Sequence, residues 1–169
     1  MPQPQPSRVE RVFDGTLIKV EVEAWPSGVR EVVRHPGACA VVALTAEGEV
    51  VLVRQFREAV RQELLEIPAG IFDVDGEDGA GCAARELLEE TGYRAVNLTY
   101  LAAIYTSPGF ANERIELFTA DAEPTGAPRE AGIEVVTMSP ADAIEAIERG
   151  DIIDAKTAVG LLLAMKSRF

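Results

Sequence analysis

The chain has few basic residues and only one histidine. Among its 169 residues, 16 lysines and arginines are set against 28 aspartates and glutamates, which gives a formal charge of −12. Neither a nucleic-acid backbone nor an anionic membrane is attracted to such a surface, so the composition predicts neither as a partner. The single histidine, His35, precedes a proline at the end of a predicted strand, and we interpret it as a turn residue.

Long apolar runs and closely spaced cysteines are also missing. No run reaches the roughly 18 apolar residues that a membrane helix needs, and the start, MPQPQPSRVE, lacks the apolar segment of a signal peptide. We therefore expect a cytoplasmic protein. Cys39 and Cys82 lack metal-ligand spacing, and we interpret them as small buried side chains in a reducing compartment, not as a disulfide.

The pattern of apolar residues predicts one antiparallel sheet at the start of the chain. GTLIKVEVEAW alternates apolar and polar residues, which predicts a half-buried strand with Val20 and Val22 inward and Glu21 and Glu23 in solvent. The turn PSG and the run VREVVRH follow, so residues 9–35 read as an N-terminal antiparallel sheet. We divide the chain into this N-terminal region, residues 1–36, and a main domain, residues 37–169.

Strands and helices mix in the main domain without a strict βαβ rhythm. The strand candidates are ACAVVALT, EVVLVRQFR, LLEIPAG, LTYLAAIYT, ERIELFTAD and IEVVTM, and the PAG of the third is predicted as a turn. Helices are predicted before Gly92, after Ser139 and over DAKTAVGLLLAMKSRF. This order predicts an α+β fold around a mixed sheet.

The helix that ends at Gly92 carries three clustered acids. At about 100° per residue, Glu86, Glu89 and Glu90 share an arc of about 100°, where like charges weaken a helix unless cations lie between them. A solvated acidic face is the alternative interpretation. The opposite side is expected to pack on the sheet and consists of Ala80, Ala84, Leu87, Leu88 and Thr91.

The stretch GIFDVDGEDGAGCAARELLEETGY resembles the Nudix box, the signature of hydrolases that cleave nucleoside diphosphates linked to another group. The matching positions are Gly70, Glu77, Arg85, Glu86, Leu87, Glu89, Glu90 and Gly92. Six residues instead of five separate Gly70 from Glu77, and Tyr93 replaces an aliphatic residue. The resemblance implies an α/β/α sandwich around the mixed sheet.

The resemblance also implies a metal site. Glu86, Glu90 and the backbone carbonyl of Ala69 would bind Mg²⁺, with Mn²⁺ as a possible substitute, and Glu89 would be a further ligand. Carboxylates are the oxygen ligands that Mg²⁺ prefers, and it is usually shared with substrate phosphates. Arg85 and Glu77 would orient the ligands through salt bridges, and Gly70 would serve the backbone geometry of the loop.

Three flanking stretches, LLEIPAG, SPGFANE and GDIIDAKT, are similar to ADP-ribose pyrophosphatases within this family. The implied reaction converts ADP-ribose and water into AMP and ribose 5-phosphate. Either Glu130, from the loop at 122–132, or Glu89 would be the general base. The residues expected to contact substrate are Arg54 or Arg57, which suit phosphate oxygens, together with Glu66, Pro108, Gly109 and Glu113.

The resemblance further implies a homodimer whose N-terminal strands swap and help to form an adenine pocket. The strand candidates of residues 9–35 include Trp25 and Arg30. An aromatic side chain there could stack on a base, although packing in the core or in a dimer is the commoner role of a lone tryptophan. Three alternatives stay open. The substrate could be another nucleoside diphosphate sugar such as GDP-mannose, or a dinucleoside polyphosphate. The chain could also be a non-catalytic module that senses nucleotide sugars.

Overall fold

The first three strands form a sheet of their own. A computed structural model describes residues 3–126 and 130–168. In it β1 (Arg8–Asp14), β2 (Lys19–Trp25) and β3 (Gly28–Arg34) pair antiparallel in the order β1-β2-β3. The N-terminal antiparallel sheet is therefore confirmed, and the division of the chain into residues 1–36 and 37–169 stays a prediction.

Seven strands form the second sheet. Its main path is β10-β5-β4-β9-β8, with β6 paired to β5 and β7 paired to β4. The β4–β9 pair is parallel and the other pairs are antiparallel, which confirms the mixed sheet. The bounds are β4 (Ala38–Leu44), β5 (Val50–Arg57), β6 (Gln62–Glu66), β7 (Ala69–Ile71), β8 (Tyr93–Tyr105), β9 (Arg114–Pro124) and β10 (Glu134–Met138).

Helices cover both faces of this sheet. The three are α1 (Gly79–Thr91), α2 (Pro140–Arg149) and α3 (Ala155–Arg168). One apolar cluster joins α1 to β4, β5 and β9, and a second cluster joins α2 and α3 to the same strands. The α/β/α sandwich is thus confirmed. Within the described residues, no helix is both long enough and apolar enough to cross a bilayer.

Local capping sets where α1 begins and ends. The Asp78 side chain accepts a hydrogen bond from the Gly81 N–H at 2.8 Å, which satisfies a donor that the first turn leaves free. Gly92 ends the helix at φ 73°, in the left-handed region that glycine adopts at little cost. These caps fix the register of the helix that carries the clustered acids.

The structure buries the face of strand β2 that the alternation predicted to be in solvent. Glu21 and Glu23 are buried, whereas Val22 is only half-buried. Their carboxylates are paired with Arg34, and Glu21 is also paired with Arg11, so the buried charges are compensated. The alternating pattern predicted the strand correctly but not which face is covered.

Two further expectations are wrong. Ala69 and Gly70 belong to β7, which pairs with β4, so PAG is not a turn. Cys39 of β4 and Cys82 of α1 are joined as a disulfide, although both are fully buried as expected. Because α1 packs on β4, the fold brings together two cysteines that lie 43 residues apart in the sequence.

The loop that contains SPGF connects the two sheets. The Val33 N–H donates to the Phe110 carbonyl at 2.7 Å, and the Asn112 N–H donates to the Val33 carbonyl at 3.1 Å. The Asn112 side chain also accepts from the His35 N–H at 2.7 Å. The loop therefore pairs with the end of β3 and holds the N-terminal sheet against the main domain.

Candidate active site

Two of the three clustered acids on α1 are buried. Glu86 and Glu90 lie on the inward side with Cys82, Ala83 and Leu87. The predicted packing side is therefore only partly right, because Leu88, Ala80 and Ala84 are half-buried. The alternative interpretation, a solvated acidic face, holds for Glu89, whose side chain is 45% exposed, but not for Glu86 and Glu90.

Glu90 lies against the start of β7. Its Oε2 accepts a hydrogen bond from the Ala69 N–H at 3.2 Å. Burial raises the pKa of Glu90 to about 8, and the negative charges of Glu86 and Glu130 act in the same direction. Two predicted metal ligands are therefore in contact, because the buried Glu90 carboxyl is hydrogen-bonded to Ala69, whose backbone carbonyl is the other.

Glu86 packs on Gly70. A Cβ added to Gly70 would overlap the Glu86 carboxylate. Burial is the largest cause of the raised pKa of Glu86, and the nearby Arg85 opposes it. The glycine is therefore explained by the close approach of a side chain, since it lies in a strand and not in a turn.

Arg85 binds the acids around it. Its Nη1 donates to Glu86 at 2.6 Å and to Glu89 at 3.2 Å, while Nε and Nη2 bind Glu77 at 3.1 and 3.0 Å. Its Nη2 also contacts Asp73 at 3.2 Å. These contacts raise the pKa of Arg85 further above its ordinary value, so the guanidinium is a permanent cross-link between α1 and the preceding loop.

A cavity of about 590 Å³ opens beside these residues. Its walls come from β5 to β7, from the loop after β8 and from the start of α3. Glu66, which is buried, accepts two hydrogen bonds of 2.7 Å from Arg57 and one from Lys156. The Glu66 carboxylate thus holds two basic side chains, Arg57 and Lys156, at the cavity wall.

Comparison with known proteins decides the family. A NUDIX domain model matches residues 33–158, about three quarters of the chain. The chain belongs to the Nudix family. Over 162 residues it is 41% identical to an ADP-ribose pyrophosphatase of Bacillus subtilis, with 90% of this chain and 87% of that protein covered.

Two other matches extend over most of this Nudix chain. It is 36% identical to a methanol dehydrogenase activator of Bacillus methanolicus, with 91% and 88% of the two chains covered. A crystal structure of an ADP compounds hydrolase superposes with a TM-score of 0.81 at 23% identity, covering 99% of this chain and 95% of that one. At that identity the likeness confirms the fold alone.

The residues on α1 and β7 suit a divalent cation, which Nudix hydrolases generally use. The available donors are the oxygens of Glu86 and Glu90 and the backbone at Ala69, and hard cations prefer such oxygens. Among the described residues, no three His, Cys, Asp or Glu side chains already converge as a metal cage. Such a partial set suits a divalent cation that completes its coordination with waters and other oxygen ligands.

Three residues at the start of α3 were missed in the sequence. Asp154 accepts from the Thr157 N–H at 3.0 Å and from Lys156 at 3.0 Å. The Thr157 hydroxyl accepts from the Ile67 N–H at 2.9 Å, which ties α3 to the segment just before Ala69. The resemblance covers these residues as part of GDIIDAKT, but only the fold shows what they contact.

The predicted substrate residues fall into separate places. Arg57, Glu66 and Glu113 line the cavity, and Glu113 accepts a 2.6 Å hydrogen bond from Thr106. Arg54 is paired with Glu134 at 3.2 Å, and its side chain leaves the strand on the face opposite to that of Arg57. The structure therefore brings Arg57 to the cavity and leaves Arg54 outside it.

Pro108 and Gly109 line a second cavity, of about 640 Å³. This cavity is also lined by Trp25 and Arg30 of the N-terminal sheet. Ser107 lines the first cavity, so the SPGF loop borders both cavities.

Glu130 lies over the end of α1. Its N–H donates to the Glu89 carbonyl at 3.2 Å, and its charge contributes to the raised pKa of Glu90. Both candidates for the general base, Glu89 and Glu130, are therefore next to the buried acids.

Proposed function

We propose that this chain is an ADP-ribose pyrophosphatase that uses Mg²⁺ to hydrolyse ADP-ribose to AMP and ribose 5-phosphate. The observation that carries the proposal is the burial of Glu86 and Glu90 against Ala69 and Gly70. These acids lie beside a cavity whose wall holds two basic side chains, Arg57 and Lys156. Such an arrangement suits a diphosphate, because its charge needs both metal and guanidinium partners.

The side chains divide the work between holding and orienting. Glu86, Glu90 and the Ala69 carbonyl would hold the cation. Arg85, which also binds Glu77 and Glu89, would keep Glu86 in place. When bound, the cation supplies charge neutralisation at the diphosphate and makes a water more acidic. Arg57 uses Nε and Nη2 on Glu66, which leaves the hydrogens of Nη1 for a phosphate oxygen.

Hydrolysis also needs a group that takes a proton from water. Glu130 or Glu89 would do so as the water oxygen bonds to one phosphorus and the bridging P–O bond breaks. A Glu130→Gln and Glu89→Gln pair of variants separates the two. The base is the residue whose loss lowers kcat most strongly while leaving the affinity for the cation unchanged.

The N-terminal sheet suggests how two copies would assemble. The face opposite Glu21 and Glu23 carries Phe13 and Val29, which are 52% and 65% exposed, beside Val20 and Val22. Apolar surface of this kind is typical of interfaces. We therefore propose that this face contacts a second copy in a cytoplasmic homodimer, with or without a strand swap.

A product assay tests the function. Purified protein is incubated with Mg²⁺ and ADP-ribose, GDP-mannose, a diadenosine polyphosphate or a nucleoside triphosphate, and the products are separated by ion exchange. Glu90→Gln is compared with Glu47→Gln, which makes the same charge change at an exposed turn. We expect AMP from ADP-ribose, lost only in Glu90→Gln.

Other outcomes of that assay would point elsewhere. Best turnover of GDP-mannose or of a dinucleoside polyphosphate would keep the metal chemistry and reject ADP-ribose as the substrate. Binding of a nucleotide sugar without turnover of any compound would support a sensing module and reject the enzyme.

A further inference from the structure

Glu23 is a buried acid that the proposed hydrolysis does not use. It is 1% exposed, although the alternation of β2 predicted it in solvent. Its Oε2 accepts a hydrogen bond of 2.6 Å from the indole N–H of Trp25, and its Oε1 is paired with the Arg34 guanidinium. A buried carboxylate with partners on both oxygens is held in one orientation.

Arg34 is itself fixed from a second side. Its Nε donates to Glu21 at 2.7 Å, and Glu21 also accepts from Arg11 at 2.9 Å. The series Arg11–Glu21–Arg34–Glu23–Trp25 therefore crosses all three strands of the N-terminal sheet. The last member, Trp25, is the only one that is not charged.

Trp25 lines the second cavity. The apolar part of the cavity wall also contains Val9, Val32, Pro108 and Phe110. At about 640 Å³ the cavity is in the range of small-molecule sites, and an indole next to open space offers a stacking surface for a planar ring. Because the SPGF loop is shared with the first cavity, one ligand with a diphosphate and a planar base could extend into both.

We propose that Glu23 is a positioning residue, which fixes the Trp25 ring so that the base end of the substrate binds to a preformed surface. An untethered tryptophan would lose rotamer freedom on binding, and a side chain fixed in advance avoids that cost. This inference rests on the proposed function for the identity of the ligand.

Fluorescence offers a direct test, because Trp25 is the single tryptophan of the chain. AMP, which carries the base, and ribose 5-phosphate, which does not, are titrated separately; both are products of the proposed reaction and contain no diphosphate bond to be hydrolysed. We expect AMP to change the Trp25 emission with a saturable dependence, and ribose 5-phosphate to leave it unchanged. Glu23→Gln keeps only one accepting oxygen for two donors, the Trp25 indole N–H and the Arg34 guanidinium, so one of the two hydrogen bonds is lost. The same titration on this variant should give a dissociation constant for AMP about fivefold to tenfold higher, as expected for one lost hydrogen bond.

Kinetics separate positioning from a purely structural role. Glu23→Gln and Trp25→Phe, which keeps an aromatic ring but removes the N–H, should each raise KM for ADP-ribose about fivefold to tenfold with kcat within about twofold. Glu47→Gln serves as the charge control. If Glu23→Gln fails to fold, Trp25→Phe still tests the hydrogen bond.

Two results would overturn the inference. One is an unchanged emission of Trp25 at saturating AMP in the wild-type protein. The other is an unchanged KM in both variants, even if their melting temperatures fall. Failure of the wild-type protein to hydrolyse ADP-ribose would instead reject the proposed function, and the AMP titration would still decide on Glu23.

Discussion

The buried carboxyl of Glu90 should make the metal-free protein less stable as the pH rises. Its pKa in the folded state is about 8, compared with an ordinary value of 4.5. Between these two values the folded chain binds more protons than the unfolded chain, so the free energy of unfolding falls as the pH increases. Above pH 8 the contribution of Glu90 to the free energy of unfolding becomes constant, because its carboxyl is then ionised in both the folded and the unfolded states.

The magnitude follows from the two pKa values. At pH 7 an unfolded carboxyl is about 2.5 pH units above its pKa, and keeping the folded one protonated costs up to about 3 kcal/mol. Glu90→Gln removes this cost, since the amide is neutral and its oxygen can still accept from the Ala69 N–H. The variant should therefore be more stable than the wild-type protein at pH 7 in EDTA, by roughly 6–12 °C in Tm.

Thermal unfolding in EDTA at pH 5, 6, 7 and 8 measures this effect. The advantage of Glu90→Gln should vanish near pH 5 and grow towards pH 8, whereas Glu47→Gln should show no such trend. Addition of Mg²⁺ should raise the Tm of the wild-type protein but not that of Glu90→Gln. A Tm of Glu90→Gln below the wild-type value at pH 8 in EDTA would refute the reasoning.

Two other variants test the elements that surround the acids. Gly70→Ala should displace the Glu86 carboxylate and lower kcat/KM about 100-fold, as small displacements at a reacting centre do, with an unchanged circular dichroism spectrum. Full activity of Gly70→Ala would contradict the close packing. Thr157→Val removes the acceptor for the buried Ile67 N–H and should lower the stability by about 2 kcal/mol, or roughly 4–8 °C in Tm. An unchanged Tm would show that Thr157 does not hold this segment.

The sequence predicted features that depend on residues close together in the chain. The helix α1, its end at Gly92 and the shared arc of Glu86 and Glu90 follow from spacing along a few turns. Strand positions followed from alternation and apolar runs. The α+β class could therefore be predicted from such local patterns, whereas the α/β/α sandwich and the family were implied by the resemblance to the Nudix box.

The features that were missed depend on which surfaces meet. Alternation in β2 gives two faces but does not say which is covered, and the pairing of Glu21 and Glu23 with arginines reversed the expectation. The contact of Thr157 with Ile67 spans 90 residues, and the separation of Arg54 from Arg57 depends on the strand face. The spacing of residues along the chain cannot predict these contacts, because they depend on the tertiary fold.

The charges around Arg85 explain why α1 needs a cation in spite of its own salt bridges. One guanidinium contacts four carboxylates, those of Asp73, Glu77, Glu86 and Glu89, so three negative charges are uncompensated when all four are ionised. Glu90, which is buried beside them, avoids adding another only by remaining protonated near neutral pH. A divalent cation would remove both costs at once, because it compensates the excess charge and lets Glu90 ionise as a ligand. Cation binding to this site should therefore release close to one proton at pH 7.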